Sequence, residues 1–280
     1  MRPLRRPPRP GHVYEAPKPG VIIFPTTNVP ATEENHVVQS VWVGPSLSLL
    51  EKICIRSFLK NGHEFHLYTY GTVAGVPEGT VVKDANEIVP EKVVSSFRYL
   101  ANFSDFFRYT MLMSGGWYVD MDSVCLRPLE FKAPYVFAAA ACDDYYKPIT
   151  NPLYSAGCYI ENGYIKVPAG NNIMRHCRDL VEQWKAGDQN YCDPMLIIQK
   201  GVQKFNLESY VQPPCVFDPM PFYKLGCVVD PCVSWDFSGS YIVHLIRSGW
   251  NVGTHSHAGL VVETQYDPDC LYEKLKKLYL

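Results

Sequence analysis

The stretch Ser96 to Phe131, SFRYLANFSDFFRYTMLMSGGWYVDMDSVCLRPLEF, decides how this chain folds. Leu100, Phe103, Phe107 and Met111 recur at helical spacing, so the pattern predicts a helix over 97–113. Ser114-Gly115-Gly116 closes it. Trp117 to Val119 then reads as a short buried strand, which delivers Asp120-Met121-Asp122. On an extended segment residues i and i+2 point to the same side. Asp120 and Asp122 can therefore offer two carboxylates to one cation, and oxygen ligands of that kind suit Mg²⁺ or Mn²⁺. Asp105 and Arg108, three apart, share a face of the preceding helix. Phe103, Phe106, Phe107 and Tyr109 make that helix apolar nearly all round, so the charged pair is expected to be buried or to line a pocket. The alternative is a surface ion pair worth less than about 1 kcal/mol. Buried charges need partners, and the hydroxyls of a sugar ring, which both donate and accept, would satisfy a carboxylate and a guanidinium together.

Upstream, Val37, Val38, Val41, Trp42 and Val43 form a β-branched and aromatic run stopped by Gly44-Pro45. Ser46 is a candidate helix N-cap, and Leu49, Leu50, Ile53 and Phe58 follow at helical spacing until Asn61-Gly62. Phe65 to Tyr70 returns as a strand. This is a β-α-β unit of the kind that builds a parallel sheet, with ligand sites at the strand ends. Val21 to Phe24 is a candidate edge strand. Downstream, strands are expected at Tyr135 to Cys142, Cys158 to Ile160 and Tyr241 to Leu245. Helices are expected at Asn171 to Trp184, Asp193 to Lys204 and Leu271 to Leu280. Residues 1–20, rich in Pro and Arg, read as a disordered tail. Residues 21–280 read as a single α/β domain without internal repeats.

Composition narrows the function classes. With 47% hydrophobic and 19% charged residues the 280-residue chain is globular. A net charge of -2 argues against nonspecific nucleic-acid binding. No apolar run is long enough for a transmembrane helix. Without an apolar leader the ten cysteines are expected to be reduced thiols, and the chain reads as cytoplasmic. Cys227 and Cys232, with His255 and His257, have a loose zinc spacing that leaves a structural zinc site open. A second acidic pair, Asp267-Pro268-Asp269, sits before the terminal helix and is most simply turn and N-cap residues.

The segments SDFFRY (104–109), GGWYVDMD (115–122) and RPL (127–129), with the upstream VQSVWVG (38–44) and CIRSFLKNGHEFHLYTY (54–70), resemble the family 32 glycosyltransferases, the DxD sugar-binding region family of capsular-polysaccharide type. The resemblance covers His36 to Phe131. It implies a GT-A nucleotide-diphospho-sugar transferase fold, a mixed central sheet flanked by helices. It implies that Asp105 and Arg108 hold donor-sugar hydroxyls. Asp120 and Asp122 would bind Mn²⁺ or Mg²⁺ and through it the diphosphate, and Trp42 would stack on the base of a UDP- or GDP-sugar. The alternative for Trp42 is a core residue at a strand end. Val43, Tyr109 and Gly116 complete the implied donor-binding set. The family's late His-Leu-Trp-Asn element has a partial counterpart in Ser240 to Arg247. His244 fits as metal or phosphate ligand, or as a core histidine, but Ile246 and Arg247 stand where Trp and Asn are expected, and Trp250-Asn251 follow. Tyr154 to Gly157 resembles the loop where backbone approaches the sugar, or is an ordinary loop.

The implied activity is metal-dependent transfer, with retention, from a nucleotide-sugar to a glycan or other hydroxyl acceptor, in an enzyme of microbial or viral type. Glu161, Asp188 and Asp193 are candidate nucleophiles, while front-face attack would need none. The alternatives are a non-catalytic nucleotide-sugar-binding or glycan-binding module and a nucleotide-sugar hydrolase.

Overall fold

The computed structural model describes residues 18–26, 30–140, 159–186, 194–250 and 259–280. In chain order the strands are β1 (Ile22–Ile23), β2 (Val37–Trp42), β3 (Glu64–Thr69), β4 (Val81–Asp84), β5 (Gly116–Val119), β6 (Ser123–Cys125), β7 (Val136–Ala139), β8 (Ile160–Val167), β9 (Val211–Gln212), β10 (Trp235–Asp236) and β11 (Ile242–His244). The α-helices are α1 (Leu49–Lys60), α2 (Leu100–Met111), α3 (Asn172–Ala186), α4 (Pro194–Lys204), α5 (Pro214–Phe217) and α6 (Leu271–Tyr279).

Seven strands form the central sheet in the order β4-β3-β2-β5-β8-β7-β9. The β2-α1-β3 unit gives the parallel half, since β2 lies parallel to both β3 and β5, and β3 lies parallel to β4. The sheet turns antiparallel at β8, which pairs with β5 on one side and β7 on the other. The mixed sheet flanked by helices is therefore the architecture expected from the sequence.

The central strand β5 is buried on both faces, as its unbroken apolar run requires. Trp117 and Val119 pack with Cys54, Phe58 and Phe65 on the α1 side. Tyr118 packs with Phe103 and Phe107 of α2 on the other. Phe107 is fully buried, and truncating such a ring to Ala costs about 3–5 kcal/mol. The chain reverses from α2 into β5 through Gly115, whose φ is +84° and whose added Cβ would lie 2.5 Å from the backbone nitrogen of Ala169. Only glycine fits there.

The structure corrects several local expectations. The cap of α1 is Ser48, not Ser46. Its hydroxyl accepts from the Leu50 N–H, and Glu51 reaches back to the Ser48 N–H at 2.7 Å, completing a capping box. Ser46 instead bridges to Ala74. The strand expected at 158–160 lies at Ile160–Val167, because the polar triplet Glu161-Asn162-Gly163 belongs to the strand and does not end it; Cys158 is outside the described residues. Strand β6, absent from the sequence reading, pairs antiparallel with β11 and sets His244 opposite Ser123. Asp267 accepts from the Asp269 N–H in a tight turn, and Cys270 is the cap of α6. Cys227 is half-buried and Cys232 exposed, both free thiols, while His255 and His257 lie outside the described residues. Most of the expected tail, residues 1–17, also lies outside them. Among the described residues no helix is long and apolar enough to cross a membrane.

Candidate metal and nucleotide-sugar site

A cleft of about 450 Å³ opens at the C-terminal ends of β2 and β5, the edge where open α/β sheets bind ligands. Its walls come from the end of β2 (Trp42, Val43), the face of α2 (Asp105, Arg108), the segment after β5 (Asp120 to Asp122), the start of β8 (Glu161, Asn162), and Arg247.

The helix pair is buried, Asp105 at 4% exposure and Arg108 at 3%. Each is held by several partners. Arg108 Nη2 lies 2.9 Å from Asp120 Oδ1 and 3.5 Å from Asp105 Oδ1. Its Nη1 donates to the Asn162 carbonyl, and its guanidinium stacks 4.4 Å above the Tyr118 ring. Asn162 Nδ2 donates to Asp105 Oδ1 at 2.8 Å, and Tyr109 donates its hydroxyl to Asn162 Oδ1 at 2.8 Å. Burial pushes the Asp105 carboxyl up to about 7, against the pull of Arg108. Burial likewise opposes the charge on Arg108, but the Asp120 carboxylate more than restores it. Arg108 Nε is buried and makes no hydrogen bond among the described residues.

Asp122 lies one turn of chain further on. Its Oδ1 is 3.2 Å from His244 Nε2, and its Oδ2 accepts from the Arg247 N–H at 2.6 Å. The β6–β11 pairing makes this meeting, and the Leu245 N–H donates to the Asp122 carbonyl at 2.9 Å. Burial disfavours both charges, but facing each other they hold Asp122 below and His244 above their ordinary ranges. Asp120, Asp122 and His244 together present one ligand atom each, all within 4.8 Å of one another. Two carboxylates and an imidazole are a donor set that Mn²⁺ accepts well, and Mg²⁺ through the carboxylates. Gly163 makes room for this set: a Cβ there would meet Asp120 Oδ2 at 2.9 Å.

Trp42 is half-buried, lines the cleft, and donates Nε1–H to the Ser46 carbonyl at 3.2 Å. Val43 lines the same wall. Gly116 is not among the residues of the cleft wall: it begins β5, at the far end of the strand from Asp120. Tyr109 is fully buried behind the wall and acts on the cleft through Asn162. Glu161 lies in the wall, and burial raises its carboxyl above the ordinary range. Asp188, Asp193, Asn251 and Tyr154 to Gly157 fall outside the described residues. The sequence reading missed Asn162, Gly163 and the cleft position of Arg247. Their signal was a polar triplet inside an apolar strand, and a cation three places beyond the histidine that ends a strand.

Residues 57–138 match the family described as "Glycosyltransferase sugar-binding region containing DXD motif", and that span carries Asp105, Arg108, Asp120 and Asp122. Among solved structures, one titled "PaToxG Glycosyltransferase" is similar over 61% of this chain and 70% of its own, at 18% identity and a TM-score of 0.44. A transferase carrying two cysteine-to-serine substitutions is similar over 62% of this chain and 86% of its own, at 14% identity and a TM-score of 0.38. No curated protein matches the chain. The matched span is thus similar to the glycosyltransferase sugar-binding, DXD-bearing family, and the mixed sheet is consistent with a GT-A-like nucleotide-sugar transferase fold.

Proposed function

We propose that this chain is a metal-dependent, retaining glycosyltransferase of the family 32 type, moving a sugar from a UDP- or GDP-sugar to a hydroxyl acceptor such as a glycan. The observation that carries the reading is the convergence of Asp120, Asp122 and His244 within 4.8 Å beside a cleft whose wall also holds the Asp105–Arg108 pair, in contact with Asp120. Retention rests on the family resemblance.

Asp120, Asp122 and His244 would hold a Mn²⁺ or Mg²⁺ ion, which when bound neutralises charge growing on the leaving diphosphate. Arg108, anchored by Asp105 and the Asn162 carbonyl, keeps Asp120 aimed into the cleft. Asp105 and Arg108 are the pair that the family resemblance assigns to donor-sugar hydroxyls, and both line the cleft. Trp42 offers a flat apolar wall for the base. In front-face transfer the acceptor oxygen bonds to the anomeric carbon as the bond to the phosphate oxygen breaks. The leaving oxygen then takes the acceptor proton. The chain's contribution is position and fixed charge. Glu161 is the candidate nucleophile in the wall for the covalent alternative.

The test is a screen of UDP- and GDP-sugars for nucleoside-diphosphate release with Mn²⁺, with and without an acceptor mixture. Acceptor-stimulated release that chelator abolishes supports transfer. Binding without release identifies a binding module, and release of free sugar whatever acceptor is supplied identifies a hydrolase.

A further inference from the structure

We infer that Arg247 is the side chain that grips the donor diphosphate, an inference that rests on the nucleotide-sugar reading above. A nucleoside diphosphate spanning this cleft would run from the base wall at Trp42 to the acids at Asp120 and Asp122. Arg247 occupies that span. Its backbone N–H holds Asp122 Oδ2 at 2.6 Å, and its guanidinium lies 5.0 Å from the centre of the Trp42 ring.

Charge and hydrogen-bonding capacity point the same way. The cleft wall carries four carboxylates, Asp105, Asp120, Asp122 and Glu161, against two guanidinium groups. Arg108 is committed to Asp105, Asp120 and the Asn162 carbonyl. Arg247 commits only Nε, to Glu51 Oε1 at 2.7 Å. Its two Nη groups make no hydrogen bond among the described residues, and the side chain is 39% exposed. Two parallel donors in a planar fork match two phosphate oxygens.

The mounting is rigid. Glu51 is fully buried and fixed by the capping box of α1, so Nε is anchored while the fork stays open. The turn that delivers Arg247 is strained: Ile246, a β-branched residue, sits at φ +47°, ψ +79°. Strain of that kind persists where the surroundings over-determine it, often at ligand clamps.

The experiment is calorimetric titration with UDP and GDP, and with uridine and guanosine, in saturating Mn²⁺, on wild type, Arg247→Gln and Arg247→Lys. Loss of a charge-assisted phosphate contact should weaken diphosphate binding by about tenfold or more in Arg247→Gln, leaving nucleoside affinity unchanged. Arg247→Lys should recover part of the loss, which a collapsed Arg247→Gln fold would not mimic. Undiminished diphosphate affinity in Arg247→Gln overturns the inference, as does an equal loss for nucleoside and diphosphate, which would assign Arg247 to the base wall. Wild type that binds neither UDP nor GDP overturns the nucleotide-sugar reading itself.

Discussion

Arg108 Nη2 lies 2.9 Å from Asp120 Oδ1, so the cation of α2 is tied to the first acid of the DxD segment. Arg108 is on α2 and Asp120 follows β5, with the turn at Gly115 between the two elements. The helix therefore fixes the carboxylate at the strand tip. Both groups of the Asp105–Arg108 pair are buried, so removing the cation leaves uncompensated charge. We expect Arg108→Met to cost about 3–5 kcal/mol in urea denaturation, the usual loss when one member of a buried pair is deleted. A loss below about 1 kcal/mol would mean that the network is solvated.

Gly163 is a sharper probe of the same carboxylate. A methyl group at this position would press on Asp120 Oδ2, and strand residues tolerate Ala in the backbone. Gly163→Ala is expected to weaken Mn²⁺ affinity about tenfold or more, within the range seen when a ligand's surroundings are disturbed. Thermal unfolding without metal should shift little. Unchanged affinity would show that Asp120 has room to move.

What could be read before the structure follows from which interactions are local. The acids of Asp120-Met121-Asp122 declare themselves by period two, and Asp105 with Arg108 by their three-residue spacing on an apolar helix. Trp42 declares itself by ending a β-branched run. Asn162, Gly163 and Arg247 leave only a faint local trace, a polar triplet in an apolar strand and a cation after a histidine, because their meaning comes from the β5–β8 and β6–β11 antiparallel pairings, whose registers no local pattern encodes. The N-cap error is of another kind. Ser48-x-x-Glu51 is a legible capping box, whereas Ser46 has only its place just after Gly44-Pro45. Gly116 is the converse case, a glycine in a motif-bearing segment whose φ of +100° serves the chain reversal.

His63 ties the sheet edge together in one tautomer. Its Nδ1–H donates to the Asn35 carbonyl at 2.9 Å, and its Nε2 accepts from the Leu129 N–H at 3.1 Å. Burial, opposed by the Asn35 and His36 carbonyls, lowers its pKa below 6.5. A depressed folded pKa means that the contribution to stability is complete above about pH 6.5 and is lost as pH falls through the folded value. Protonated Nε2 can no longer accept from Leu129. Stability from urea denaturation should fall between pH 7.5 and pH 5, and that slope should flatten in His63→Gln. An identical slope in the variant would assign the acid sensitivity elsewhere.

Trp42 separates base stacking from packing. It is half-buried on the cleft wall, with Arg247 against its ring. Trp42→Ala is expected to weaken UDP or GDP binding by about 1–3 kcal/mol, the range for a base stacked on an aromatic. Titration that finds unchanged nucleotide affinity, with a lowered melting temperature, would make it a core residue at a strand end.

The central claim is that Asp120, Asp122 and His244 form one divalent-cation site. Mn²⁺ binding followed by electron paramagnetic resonance tests it most directly, on wild type and on Asp122→Asn. The account predicts one Mn²⁺ per wild-type chain and affinity at least about tenfold weaker in a still-folded Asp122→Asn protein. Equal Mn²⁺ binding by the two proteins, or none by the wild type, would contradict it.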